Sequence, residues 1–182
     1  MRYSNYRFTP VTPATHRRIN GRPGNELARD LRDVFGWSRP FDTALLEPKA
    51  LALMREAGVL VDEGDLLHSS IRVLTLDDML LMHSAWPTHA DDAVFFGPDT
   101  YRFISALQRA FAWLDASPVR ALDVGCGTGA DALTIARTFS HAAVIGIDVN
   151  PKVLELATVN ARLAGLHNVT LYLFWETVQF IN

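Results

Sequence analysis

The chain has 182 residues, of which 49% are apolar and 20% charged, with a formal net charge of −3 and one cysteine. This is the profile of a soluble globular protein long enough to bury a core, and it excludes a disordered chain or a strongly basic nucleic-acid binder. No apolar run approaches the roughly 20 residues of a membrane helix. The start, MRYSNYRFTP, lacks the apolar stretch of a secretory signal, and a single cysteine excludes an internal disulfide or a cysteine zinc cluster. A cytoplasmic protein without membrane partners is expected.

Residues 1–24 carry three prolines, two glycines and five arginines (Arg2, Arg7, Arg17, Arg18, Arg22) without apolar periodicity. They read as a flexible basic arm. His16-Arg17-Arg18 forms a short basic cluster that suits RNA contact, although a solvated tail is the commoner meaning of such runs. From Asn25 the spacing of Leu27, Leu31, Val34 and Phe35 predicts a helix, capped by Asn25 and ended by Gly36. A second helix is predicted from Pro48 to Ala57, with proline at its first position and Gly58 beyond its end. Val59-Leu60-Val61, the turn Asp62-Glu63-Gly64-Asp65 and the apolar stretch Leu66 to Leu76 read as one hairpin. Helices followed by a hairpin imply a small α+β, winged-helix-like domain over 25–92.

The segment His83 to Asp92 gathers metal-ligand types (His83, His89, Asp91, Asp92), but Pro87 interrupts it and the spacing fits a surface loop better. After Phe95-Phe96-Gly97-Pro98-Asp99-Thr100-Tyr101, the repeat of Ile104, Leu107, Phe111 and Leu114 predicts a helix capped by Asp99 or Thr100 and ended by Ser117-Pro118. Strand and helix then alternate. Strands are expected at 119–124, 142–147 and 169–173, with helices at 128–139 and from Asn150-Pro151 to Gly165. Two right-handed crossovers and a parallel sheet follow, so 93–182 reads as α/β.

The sharpest motif is Leu122-Asp123-Val124-Gly125-Cys126-Gly127-Thr128-Gly129, where an apolar strand turns into a helix. Glycines there permit positive φ and close approach of a ligand to the backbone, and the helix start adds free N–H groups. Asp148, 19 residues after Gly129, closes the next strand, where a carboxylate accepts hydrogen bonds from a ribose diol. Gly125, Gly127 and Ala130 also satisfy the dinucleotide pattern G-x-G-x-x-G/A, so an NAD(P)-binding oxidoreductase domain stays open as an alternative. So does a non-catalytic recognition module carrying a degenerate nucleotide fold. Asp123 weighs against a pyrophosphate, which it would repel, and for the ammonium of a methionine moiety. Cys126 sits at a helix start, which lowers thiol pKa, but no histidine pairs with it; Thr128 reads as the helix cap.

LDVGCGTG resembles motif I of the class I S-adenosylmethionine-dependent methyltransferases. VIGIDVNPKVLELATVNARLAGLHNVTL is similar to the strand, ribose-binding acid, helix and third strand that follow it in that family. FFGPDTYRF resembles the lead-in of the "small domain" members, which include release-factor glutamine and ribosomal-RNA guanine methylases. The resemblance implies a Rossmann-like fold, S-adenosyl-L-methionine as cofactor, and N-methylation of a protein or RNA. By it, Asp123, Gly125, Cys126, Gly127 and Gly129 line the methionine end, Asp148 takes the ribose hydroxyls, and Thr100 and Tyr101 close over the cofactor.

The family's sheet has seven strands, and its Asn/Asp-Pro-Pro-aromatic motif, which holds the target amine, follows the fourth. Nothing after Val169 resembles that motif, so no catalytic residue is assigned, and Glu176 is the sole candidate for the adenine amino group. A sheet halted after three strands would leave the first as an apolar edge. A truncated chain, or one completed by a partner or dimer mate, is therefore expected.

Overall fold

The computed structural model describes residues 6–87, 93–94 and 96–174. The chain divides into two compact units, Met1–Asp99 and Thr100–Asn182, so the junction lies beyond the one expected at 92/93.

In the first unit, residues read as a flexible arm are folded. Helix α1 (Pro13–Asn20) begins with proline, and the Thr12 hydroxyl accepts a hydrogen bond from Thr15 N at 3.3 Å. Phe8 is buried, and its backbone exchanges hydrogen bonds with Thr75: Phe8 N to Thr75 Oγ1 at 2.8 Å and Thr75 N to Phe8 O at 2.9 Å. His16, 1% exposed, lies between the rings of Trp37 and Trp86 at 5.4 and 5.1 Å. Partners this distant in sequence leave no local periodicity, which is why the segment resembles a tail when read alone.

Helix α2 (Leu31–Phe35) is shorter than expected. Asp30, not Asn25, caps it, accepting from Asp33 N at 2.8 Å. Asn25 instead donates its side-chain amide to Ile19 O, and Ala28 N donates to Pro40 O, which holds 25–29 out of the helix. A 3-10 turn (Thr43–Leu45) precedes α3 (Pro48–Glu56), whose end at Gly58 (φ +66°) matches expectation. Strands β1 (Leu60–Glu63) and β2 (Leu66–Ser69) form the expected hairpin, and Phe41 bridges to Leu67 beside it. The stretch to Leu76 is not one strand. The Ser69 hydroxyl bonds to both N and O of Ile71, breaking it, and β3 (Ile71–Leu76) pairs antiparallel with β4 (Met79–Ser84). Val34, Phe41, Leu46, Met54 and Leu67 form a core of this unit. His83, read as part of a loop, lies buried on β4; His89, Asp91 and Asp92 lie outside the described residues.

The second half is α/β. After α4 (Pro98–Phe111) come β5 (Arg120–Val124), α5 (Ala130–Thr138), β6 (Ala143–Asp148), α6 (Pro151–Leu163) and β7 (Val169–Leu173). The three strands are parallel in the order β5-β6-β7, with Asp123 opposite Gly146 and Asp148 opposite Leu173. Small residues let α5 approach the sheet: Ala132, Ala136, Ala142 and Val144 are buried together, with Ala121, Ile135 and Phe139 against them. Phe111 of α4 meets Phe139 edge-on at 4.9 Å. The Asn168 amide reaches the carbonyls of Ala136, Phe139 and Ala142 and pins the end of α5 to the start of β7. Leu122 and Val124 on β5 are 59% and 72% exposed. No described helix is long and apolar enough to cross a membrane.

Candidate cofactor-binding site

The loop between β5 and α5 is built from backbone conformations that glycine alone adopts without strain. Gly125, Gly127 and Gly129 have φ of +74°, +54° and +82°. Gly125 N and Cys126 N both donate to Ile147 O, at 2.8 and 3.0 Å, anchoring the loop to the end of β6. Gly129 is the N-cap of α5, without a side-chain cap bond, so Thr128 does not cap the helix as expected. Thr128 is buried, and its carbonyl accepts from the Asn160 amide at 3.0 Å. A Cβ on Gly129 would lie 3.3 Å from Ala157 Cβ, so α5 and α6 meet closely at this point.

Two carboxylates brace the loop. Asp148 Oδ2 accepts from Gly127 N and Oδ1 from Asn150 N, both at 3.0 Å. Each oxygen keeps a further acceptor site, so the same side chain can also take hydroxyl protons. Asp123 Oδ2 accepts from Ala132 N at 3.0 Å, at the first turn of α5. Burial raises the Asp123 pKa, the Ala132 N–H opposes that rise, and the charge of Asp148 adds to it. The carboxyl thus sits where a nearby cation would be favoured.

Cys126 is buried with its thiol pushed up to about 12, first by burial and then by Asp123 and Asp148. A raised thiol is the opposite of the activated one a helix start can create, and the buried side chain packs against the sheet. Its Cβ and Sγ cover Gly146 of β6, where an added Cβ would lie 3.1 Å from each. Thr100 and Tyr101 lie in the first turns of α4, and Tyr101 lines an open depression of about 270 Å³ with Arg102, Ser105 and Arg109. Glu176 falls outside the described residues.

Three residues of this region escaped the sequence reading. Asn160 is fully buried on an otherwise apolar face of α6, a lone amide whose position was the available signal. Gly146 left none, since its neighbours come from the loop and from β7. Asp131, pushed up to about 6 by burial and by Asp123, resembles an ordinary first-turn acid in sequence. No group of three metal-ligand side chains placed to hold an ion occurs among the described residues.

Residues 115–174 match a family described as "Methyltransferase domain". Over this segment the chain is similar to class I S-adenosylmethionine-dependent methyltransferases. The release factor glutamine methyltransferase of Vibrio cholerae is 37% identical over 75 residues, 41% of this chain and 25% of that protein. A Bacillus subtilis protein called "Uncharacterized protein YbxB" is 43% identical over 51 residues, 28% of this chain and 25% of its own length. The chain thus spans a quarter of the curated relatives it matches. Among solved structures, a SAM-dependent methyltransferase from Agrobacterium tumefaciens superimposes with TM-score 0.46 and 20% identity, over 69% of this chain and 41% of that one.

Proposed function

We propose that this chain carries the S-adenosylmethionine-binding portion of an enzyme that N-methylates a protein or an RNA. The observation that carries the choice of ligand is the bond from Ala132 N to Asp123 Oδ2. A pyrophosphate-binding turn leaves its helix N–H groups free for the anion. Here an internal carboxylate already occupies one of them and projects negative charge into the turn. The loop therefore suits a ligand with an ammonium group and fits a dinucleotide poorly. Gly125 and Gly127 offer backbone with no atom closer than 4.0 Å to an added Cβ, so a ligand can lie directly on them.

In this reading Asp123 and the turn 125–129 hold the methionine end, Asp148 accepts from the ribose hydroxyls, and Thr100 and Tyr101 close over the cofactor. The cofactor supplies a methyl group on a sulfonium, an electrophile that needs alignment and exclusion of water more than covalent help. The exposed β5 is the surface on which a partner, a dimer mate or further chain would pair. In this reading the first unit is winged-helix-like: helices α1 and α2, the Phe41 bridge, a 3-10 turn, helix α3 and the β1–β2 hairpin follow in that order, with Phe41 bridging to Leu67 and a second hairpin, β3–β4, after them.

Titration calorimetry with S-adenosylhomocysteine and with NADH tests the site. Binding of the former alone is expected, weakened at least about tenfold by Asp148→Ala, which removes two charge-assisted hydrogen bonds. Gly127→Val, which forces a branched residue to φ +54°, is expected to abolish binding. Indifference to both substitutions, or tighter NADH binding, would overturn the assignment.

A further inference from the structure

The first unit is electrically divided. In its described part up to Arg39, the exposed charged residues are six arginines and only two acids, Glu26 and Asp30. No lysine occurs before Lys49. Beyond that, acids dominate the surface, including Asp62, Glu63 and Asp65 at the tip of the β1–β2 hairpin. A winged module that used α3 and this wing on a nucleic acid would set three carboxylates against phosphates, so that face is unsuited to the task.

The arginines belong to two segments that the fold stitches together. Arg17 and Arg18 lie in the last turn of α1, and Arg22 follows in the turn after it. Asn25 donates to Ile19 O in α1 and accepts from Arg29 Nη2 at 3.1 Å. Asn20, the last residue of α1, donates to Trp37 O at 2.8 Å, and Trp37 N in turn donates to Arg32 O at 3.0 Å. Beneath them lies a buried network: Arg39 Nη1 donates to Asp33 Oδ1 at 2.7 Å, and Arg39 Nε donates to Asn20 Oδ1 at 3.0 Å. Burying such a pair stabilises little by itself, but it fixes geometry, here that of the two joined segments that bear the exposed Arg17, Arg18, Arg22, Arg29 and Arg32. Among the described residues, Arg29 is the one member of these five in an ion pair, with Asp33 at 3.6 Å.

We propose that this arginine platform docks on the phosphate backbone of a structured RNA. Guanidinium forks match phosphates and carboxylates alike, so charge alone leaves an acidic protein possible. The apolar content decides between them. A protein interface needs a desolvated apolar centre, and among the described residues up to Arg39 the exposed large apolar residue is Leu27 alone. Nucleic-acid contacts are polar and positive throughout. Neither α1, with eight residues and its arginines at the C-terminal end, nor α2, with five, offers a helix to lay in a DNA major groove. The platform reads backbone and shape, as contacts to an RNA helix do. The preference for RNA over DNA rests on the proposed acceptor class; the platform itself does not.

The test is fluorescence anisotropy of the full chain with a labelled 24-base-pair RNA hairpin, across salt concentrations. Arg17→Gln, Arg18→Gln and Arg22→Gln together are expected to weaken binding at least about tenfold and to lower the log–log salt slope by about three. These exposed changes leave folding intact, which circular dichroism checks, and leave S-adenosylhomocysteine binding unchanged, so loss of RNA binding alone is separable from failure of the cofactor site. Lys49→Gln with Arg55→Gln on α3 should not alter RNA affinity. The proposal is overturned by absent RNA binding or by an unchanged slope in the triple variant. It also falls if affinity is lost through the α3 pair, if the DNA duplex of the same sequence binds more tightly, or if polyglutamate competes as well as RNA.

Discussion

Gly146→Ala probes how the sheet supports the glycine turn between β5 and α5. Gly146 lies in the middle of β6, opposite Asp123 and Leu171. A Cβ there would lie 2.8 Å from Leu171 Cδ2 and 3.1 Å from both Cβ and Sγ of Cys126. Carbon atoms pack best at about 3.5–4.0 Å, so both neighbours must retreat by roughly half an ångström or more. Leu171 can give by changing rotamer. Cys126 is part of the turn, its N–H bonded to Ile147 O, so its movement is movement of the turn. Overpacking of this kind costs about 1–3 kcal/mol. For a unit of this size that lowers Tm by at least about 4 °C, read by circular dichroism. Affinity for S-adenosylhomocysteine should fall as well. Adding Leu171→Val removes the shorter contact and should restore part of the stability but not the affinity, because the Cys126 contact persists. A Gly146→Ala chain with unchanged melting and unchanged binding would refute the idea that Cys126 couples the sheet to the turn.

Two further outcomes follow from buried titrating groups. His16 and His83 are neutral and buried, pushed down to about 4 and about 3, first by desolvation and then by the Arg72 charge. The unfolded chain takes up their protons near the ordinary value of about 6.5. Stability of the first unit is thus full above that pH and falls as pH drops from 6.5 toward 4. Asp131 runs the other way: its folded value of about 6 exceeds the unfolded one, so its contribution is full below pH about 3.8 and is lost as pH rises through 6. Urea unfolding at pH 7.5, 6.0 and 4.5, with a separate probe for each unit, should therefore show opposite trends, and His83→Phe should flatten the first. For Cys126, the elevated thiol predicts negligible alkylation by iodoacetamide at pH 8 in the folded chain and rapid alkylation in urea; rapid modification of the native chain would contradict its burial.

What could be read from the chain alone was what local chemistry enforces. Three glycines in five residues after an apolar strand demanded a turn with positive φ, and all three have it. Pro48 and Asn150-Pro151 started helices because a fixed φ and a side-chain acceptor act within a few residues. The β5–α5–β6–α6–β7 order followed from periodicity that each segment carries in itself. Other features depended on residues far apart. Arginines and prolines before residue 24 looked like a tail until His16 met Trp86, and Phe8 met Thr75. The stretch from Leu66 to Leu76 was one apolar run until the Ser69 hydroxyl broke it and β4 paired with its second half. Asp123 and Asp148 were recognisable as acids at the right strand ends, but the backbone N–H that each accepts from was not. The Asp148 bond exists because the parallel register brings the end of β6 beside the glycine turn, and the Asp123 bond because that turn folds the start of α5 back to the end of β5. Composition and spacing set the local geometry and already marked Asp123 as an acid beside the turn; that its carboxylate fills one helix N–H from within was decided only by the tertiary structure, which packs α5 back against β5.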